Sequence, residues 1–243
     1  MNKEKVDIQY FVHPDLFQEY YNIIYQQLLP RVEFKRVCEL GAGANPSLTE
    51  EVIEERQLDY WVTDISNEAI KSCPSGYQRK VLDINQNSIS TVLGKFDLIF
   101  SKMLVEHLPN PKTLHQNILD ALNPKGYAFH FFPTLGSLAL WINHLLPDAL
   151  TEPLLMWAEP HRKEAKFGKF KAYYHWCEGP NRHNIRRFEE LGFDVLLYYG
   201  GYGHKYYEKI APLNWVEQQK SKLLQAIKIP KLTANACILL RKK

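Results

Sequence analysis

The sequence predicts an α/β fold: a doubly wound, mainly parallel, seven-stranded sheet with an antiparallel last strand and a helical insertion between the fifth and sixth strands. Three observations predict it. Short apolar runs alternate with segments of helical periodicity, as crossover connections between parallel strands require. The first run ends in the glycine turn Gly41-Ala42-Gly43, and the next three end in Asp64, Asp83 and Ser101. In a doubly wound sheet, ligands bind outside the carboxyl ends of the strands, where these residues fall.

The elements follow in order. From Phe11 to Leu29, Pro14 suits a first helical turn, and Leu16, Tyr20, Ile23, Ile24 and Leu28 recur at helical spacing, so residues 1–31 read as a helical cap. Arg36 to Leu40 is the first strand, and Asn45-Pro46-Ser47 offers a cap and first-turn proline to a helix through Ile53. Tyr60 to Thr63, Val81-Leu82 and Phe96 to Phe100 are the next three strands. Asn110-Pro111 starts a helix that Asn123-Pro124-Lys125-Gly126 breaks, leaving Tyr127 to Phe132 as the fifth strand. Asn181 and Gly192 bracket a helix, Phe193 to Tyr199 is the sixth strand, Leu213 to Ile227 is helical, and Ala234 to Leu240 is the last strand.

Composition bounds the classes. The 243 residues fit a single domain spanning the whole chain; 45% are hydrophobic and 23% charged, which is ordinary for a folded domain. A net charge of +3 argues against a nucleic-acid partner. Cys38, Cys73, Cys177 and Cys237 are scattered, so neither a metal site nor a disulfide framework is expected. The amino terminus lacks a long apolar signal region, and the apolar tract from Leu138 to Leu146 is shorter than the roughly 20 residues that span a bilayer. A cytoplasmic protein is expected.

Glycines let backbone amides approach a ligand, and Asp64 stands where an acid on the second strand meets ribose hydroxyls, so the edge reads as a nucleoside site. The third glycine of a dinucleotide fingerprint would fall on Pro46, which disfavours a pyrophosphate cradle and a nicotinamide oxidoreductase. No Tyr-x-x-x-Lys arrangement supports hydride transfer either. Five motifs then stand in one order: Glu39-Leu40-Gly41-Ala42-Gly43 with Asp64, Asp83, Phe96-Asp97-Leu98-Ile99-Phe100-Ser101, Glu106-His107-Leu108, and Asn123-Pro124-Lys125-Gly126. The series, over about Val32 to Pro133, resembles class I S-adenosylmethionine-dependent methyltransferases, particularly poorly characterised bacterial members.

The resemblance implies S-adenosyl-L-methionine as cofactor and Glu39, Gly41, Gly43, Asp64, Ile65, Asp83, Ile84 and Ser101 as its binding set. Glu39 and the glycine backbone would lie near the methionine part, Asp64 on the ribose, Asp83 at the adenine amino group, and the Ser101 main chain near the ammonium. Asn45 stands where the family's third glycine would be and tolerates left-handed geometry. The implied reaction is methyl transfer, most simply to oxygen; the alternative is a binding protein that keeps the fold without turnover. An oxygen acceptor gains from a base, and His107 and His204 rank ahead of His175; His130, inside a strand, reads as structural.

Residues 135–187 exceed an ordinary connection and read as an acceptor-side insertion. Leu138, Leu140, Trp141, Ile142, Leu145 and Leu146 form an apolar first part. Between His161 and Arg187, eight basic residues against two acidic ones give an excess of +6 around Tyr173-Tyr174-His175-Trp176. Tyr173, Tyr174 and His175 are the candidate acceptor-binding residues. Aromatic faces stack on sugars while Arg and Lys attract phosphate or carboxylate, so the expected partner is an anionic small molecule or a sugar-bearing or lipid-linked acceptor. A solvated basic subdomain and a peripheral membrane contact are the competing readings.

Overall fold

The computed structural model describes residues 5–31, 35–136, 171–204 and 207–243. The expected apolar first part of the insertion and the basic residues through Lys169 lie outside them. Among the described residues eight strands form one sheet: β1 (Asp7–Val12), β2 (Arg36–Leu40), β3 (Asp59–Asp64), β4 (Gln78–Val81), β5 (Phe96–Lys102), β6 (Leu122–Pro133), β7 (Phe193–Tyr202) and β8 (Asn235–Lys242). Their order is β1-β7-β8-β6-β5-β2-β3-β4. Only β8 runs against its neighbours, between β6 and β7.

The seven expected strands are all present, and β1 is an addition at the edge. The amino-terminal cap is therefore not wholly helical. Asp7 to Val12 mixes polar and apolar residues, as a half-exposed edge strand does, and its hydrogen-bonding partner, Leu197 to Tyr202 on β7, is remote in sequence. Tyr199 donates its hydroxyl proton to Asp7, and Gln9 Nε2 donates to the same phenol oxygen at 3.1 Å. No local pattern announces such a pairing.

Among the described residues seven helices flank the sheet: α1 (Asp15–Asn22), continued by a π-helical turn Ile23–Leu28, α2 (Glu50–Arg56), α3 (Asn67–Ser72), α4 (Ile89–Leu93), α5 (Pro111–Ala121), α6 (Arg182–Leu191) and α7 (Ala211–Ile227). Local signals start several of them. Asn110 Oδ1 accepts from Thr113 N at 3.2 Å ahead of Pro111, and Asn181 Oδ1 accepts from Asn184 N at 2.8 Å, each cap worth about 1 kcal/mol. Gly192, at φ 113°, closes α6 as expected.

Alternation along the strands divides the core between two faces. Cys38, Leu40, Ile99 and Ile238 pack against Leu114 and Ile118 of α5 and Phe188 of α6. Val37, Leu98, Phe100 and Phe129 pack against Leu16, Tyr20, Ile23 and Ile24. All four cysteines are buried free thiols. No helix among the described residues is long and apolar enough to cross a membrane.

The sheet turns the chain at one place that matters. From β2 the strands run outward through β3 to β4, and the next, β5, pairs with the opposite side of β2. The carboxyl ends of β2 and β5 therefore flank the topological switch point, where this class of sheet opens a crevice.

Candidate active site

The glycine turn after β2 lies on one side of that crevice. Gly41 and Gly43 have φ of +69° and +55°, the left-handed region that residues with a Cβ rarely enter. A Cβ on Gly41 would sit 2.8 Å from Leu104 Cδ1, and one on Gly43 would sit 3.0 Å from Asp64 Oδ2 and 3.3 Å from Ala69 Cβ. The turn thus touches both the segment after β5 and the end of β3. Asn45 does not share the left-handed conformation; its amide donates to Ala42 O at 3.0 Å and closes the turn.

Glu39 is 1% exposed, and its carboxylate accepts from Ser47 N at 2.7 Å, Ser47 Oγ at 2.6 Å and the Tyr60 hydroxyl. Burial raises its pKa, and the Ser47 and Tyr60 hydrogen bonds oppose that rise. The carboxylate therefore pins the far end of the glycine turn. This explains why α2 begins at Glu50, after Thr49, and not at Asn45-Pro46-Ser47: the buried carboxylate needs donors, and Ser47 supplies them.

Asp64, at the end of β3, accepts from Ser66 N at 2.9 Å through Oδ1, while Oδ2 faces Gly43. Burial raises its pKa. Beside it Ile65 is 50% exposed, an apolar surface at the strand edge with nothing of the core on it. After β4, Asp83 turns the chain through Asn85 N at 2.9 Å, and Ile84 is buried in the core. The Ser101 hydroxyl meets His130 Nδ1 at 2.8 Å and its carbonyl accepts from Tyr20 OH at 3.0 Å, so β5 runs on to Lys102. His130 is fully buried, which lowers its pKa to about 3.

On the other side of the crevice, a 3-10 turn, Val105–His107, meets the strap that returns from the insertion. The Glu106 carbonyl accepts from Tyr173 N at 2.7 Å and Tyr174 N at 3.1 Å. His107 Nδ1 donates to Lys171 O at 3.1 Å, and His175 Nδ1 donates to Pro109 O at 2.8 Å. A carbonyl only accepts, so the proton is on Nδ1 of His107 and Nε2 is the basic nitrogen. Burial lowers the pKa of His107, and the bond to Lys171 works against that shift. Tyr174 and Trp176 have φ of 56° and 62°, and Met103, just after β5, has 55°. Such conformations cost on the order of 1–3 kcal/mol each and persist only where surrounding contacts hold them.

Glu106 has its carboxyl buried, with Oε1 3.6 Å from His107 Nε2 and Oε2 without a hydrogen bond among the described residues. Burial pushes its pKa to about 8 from an ordinary 4.5. A folded-state pKa above the unfolded one means that stability is full below pH 4.5 and is lost as pH rises toward 8, at on the order of 1 kcal/mol per pH unit. Glu106→Gln is expected to remove that slope, so the mutant gains in melting temperature over the wild type between pH 6 and pH 8. Parallel thermal melts across this range check it; equal slopes would contradict the buried, protonated carboxyl.

The structure thus brings His107, Tyr173, Tyr174 and His175 together at the turn that follows Leu104, the residue that borders Gly41. His204 stands apart at the end of β7, with β6 and β8 between it and β5, about 14 Å at ordinary strand spacing. Its Nε2 lies 3.5 Å from Glu217 Oε1 on α7, and its ring packs 4.8 Å from Tyr207. Sequence reasoning did not find the contribution of the first helix to the crevice. Tyr25 OH donates to Ser47 O at 2.7 Å, and Lys102 Nζ donates to Tyr21 OH at 2.7 Å. Their polar ends meet partners remote in sequence, so only the fold reveals them.

Two left-handed glycines, one of which would crowd Asp64 if it bore a Cβ, with a half-exposed isoleucine beside that carboxylate, suit a nucleoside-bearing cofactor. The comparison with families decides which: residues 15–197 match the family described as "Methyltransferase domain". The chain belongs to that family. Its cofactor is S-adenosylmethionine and it is an enzyme, a methyltransferase, which sets aside the oxidoreductase and the non-catalytic binding protein. A methyltransferase from Archaeoglobus fulgidus is 18% identical with TM-score 0.53, over 95% of this chain and 100% of that one. The structure titled StiE O-MT residues 961–1257 is 11% identical with TM-score 0.54, over 93% and 74%. Phosphoethanolamine N-methyltransferase 2 of Haemonchus contortus, in complex with phosphomonomethylethanolamine and S-adenosylhomocysteine, is 15% identical with TM-score 0.52, over 93% and 52%. At such identities the likeness is one of fold. Among curated proteins none matches in sequence.

Proposed function

We propose that this methyltransferase transfers the methyl group to an oxygen of a small, anionic acceptor of the sugar-bearing or lipid-linked kind, with His107 as base. The observation that carries the reading is the junction of the Tyr173–His175 strap with the Glu106–Pro109 turn at the end of β5. It sets a neutral imidazole, with its basic nitrogen defined, beside the strand ends where the methyl donor binds. Gly41, Gly43, Asp64 and Ile65 would hold the cofactor, with Asp83 and Ile84 bounding the nucleoside and Ser101 setting the end of β5. Bound there, the cofactor supplies an already activated methyl group, so the protein's work is alignment, worth roughly 7 to 11 kcal/mol, and proton removal.

His107 takes the acceptor proton on Nε2. The positive charge that then arises on the ring lies 3.6 Å from the Glu106 carboxyl, and the two groups titrate as a pair. Lys171 stacks its ammonium 4.9 Å from the Tyr173 ring, a combination of cation and aromatic face suited to an anionic acceptor with an apolar or sugar body. That a structural neighbour holds a phosphorylated amine in its complex is in keeping with a small anionic acceptor. His204 is assigned to packing against α7.

The test incubates the protein with radiolabelled donor and fractionated cell extract. Label in acidic small molecules or glycolipids, with the methyl on oxygen by its NMR shift, supports the reading; a methyl on nitrogen, or label confined to protein or nucleic acid, overturns it. On the acceptor so found, Tyr174→Ala with His175→Ala is expected to lower kcat/KM by about tenfold or more, with donor affinity near wild type. Equal loss of donor binding would remove the strap from the acceptor side.

A further inference from the structure

Helix α7 presents two unlike faces. Glu217 and Ser221 are buried, and the helix packs across the carboxyl ends of β1 and β7, with Gln225 Nε2 donating to Tyr10 O at 2.9 Å. The opposite face is apolar and open: Trp215 is 63% exposed, Leu223 61%, Val216 54% and Ile227 52%. At 100° per residue these four fall within one arc of about 120° that also carries the exposed Gln219, with Lys222 at one border and Lys220, bonded to Glu217, at the other. The chain then continues into Lys228, Ile229, Lys231 and Leu232, all exposed. From Ala211 to Leu232 there are four lysines and one acid, and that acid, Glu217, is buried and bonded to Lys220.

We infer that this face of α7 docks on an anionic lipid bilayer, with Trp215, Leu223 and Ile227 in the acyl boundary and the lysines at the headgroups. An apolar arc bordered by lysines is the pattern of a helix lying in the interface: the long stems follow the apolar surface and the ammonium groups reach the phosphates. A second copy of the same face would bring its own lysines against these, which charge opposes; anionic headgroups complement them. The docking stands on the surface of α7 and is independent of the acceptor reading.

The experiment is co-sedimentation of the full chain with vesicles of phosphatidylcholine, alone or mixed with phosphatidylglycerol. The wild type is expected to partition strongly only onto the mixed vesicles and to be released by salt. L223E with I227E should reduce partitioning by about tenfold or more, since each places a charge in the apolar arc. K222Q with K228Q and K231Q should reduce it on the order of 100-fold on mixed vesicles and leave the weak binding to phosphatidylcholine unchanged. The lysine variant is conservative at the surface and keeps the test decisive should the glutamates perturb folding, which circular dichroism monitors. Wild type that sediments with neither vesicle, or either variant binding like wild type, overturns the inference. So does a dimer in sedimentation velocity that L223E with I227E dissolves in the absence of any vesicle binding, since the face would then join two copies.

Discussion

Gly43→Val is expected to abolish measurable S-adenosylmethionine binding while the sheet stays folded. A β-branched residue at φ +55° carries backbone strain, and its Cβ would stand 3.0 Å from Asp64 Oδ2 and 3.3 Å from Ala69 Cβ. To make room, Asp64 must leave the position that Ser66 N holds, and the turn must leave the cofactor. Strain and the lost charged hydrogen bonds together amount to about 3 kcal/mol or more, two decades or more in affinity. Gly41→Val should act similarly, more mildly, because the atom in its way is the end of the Leu104 side chain. Titration calorimetry with circular dichroism separates binding from folding. A folded Gly43→Val protein with wild-type affinity would show that the cofactor does not use this turn.

His107→Gln is expected to lower kcat by about 10²- to 10⁴-fold on an oxygen acceptor, with donor affinity unchanged. Glutamine keeps a polar group near Lys171 O but offers no basic nitrogen. The pH profile gives the sign. Because burial holds the His107 pKa below 6.5, the base is competent at neutral pH, and wild-type activity should fall only as pH drops below that value. The variant should lack this acid limb. If kcat is unchanged, or the limb persists, proton removal lies elsewhere and the choice of oxygen over a nucleophile needing no base loses its support.

These expectations depend differently on what could be read along the chain. The alternation of apolar runs and helical segments, the capped starts at Asn110 and Asn181, and the order of the residues after each strand are local properties, and local chemistry decides them. A cap needs only a side-chain oxygen three residues before an amide, and a strand buried on both faces needs only a continuous apolar run. The edge proposed for the cofactor was legible for the same reason: once the strands are parallel, their last residues share an edge, and Gly41, Gly43, Asp64 and Asp83 fall on it.

What the sequence by itself determined was therefore the class of sheet, its family and the ends of its central strands. Only the tertiary structure decided what depends on contacts between distant residues. β1 exists because β7, close to 190 residues away, accepts it as a partner, and Ser47 leaves a helix start because a buried carboxylate requires its amide and hydroxyl. Two histidines of equal promise were separated by packing: Lys171 O, 64 residues from His107, fixes one beside the switch point, while Glu217 engages the other on α7. Burial, which no single residue carries in its type, raises Glu106 and lowers His107 from their ordinary values. It comes from elements far apart in the chain closing over one pair of side chains, and removing water from a charged group is what shifts its proton affinity.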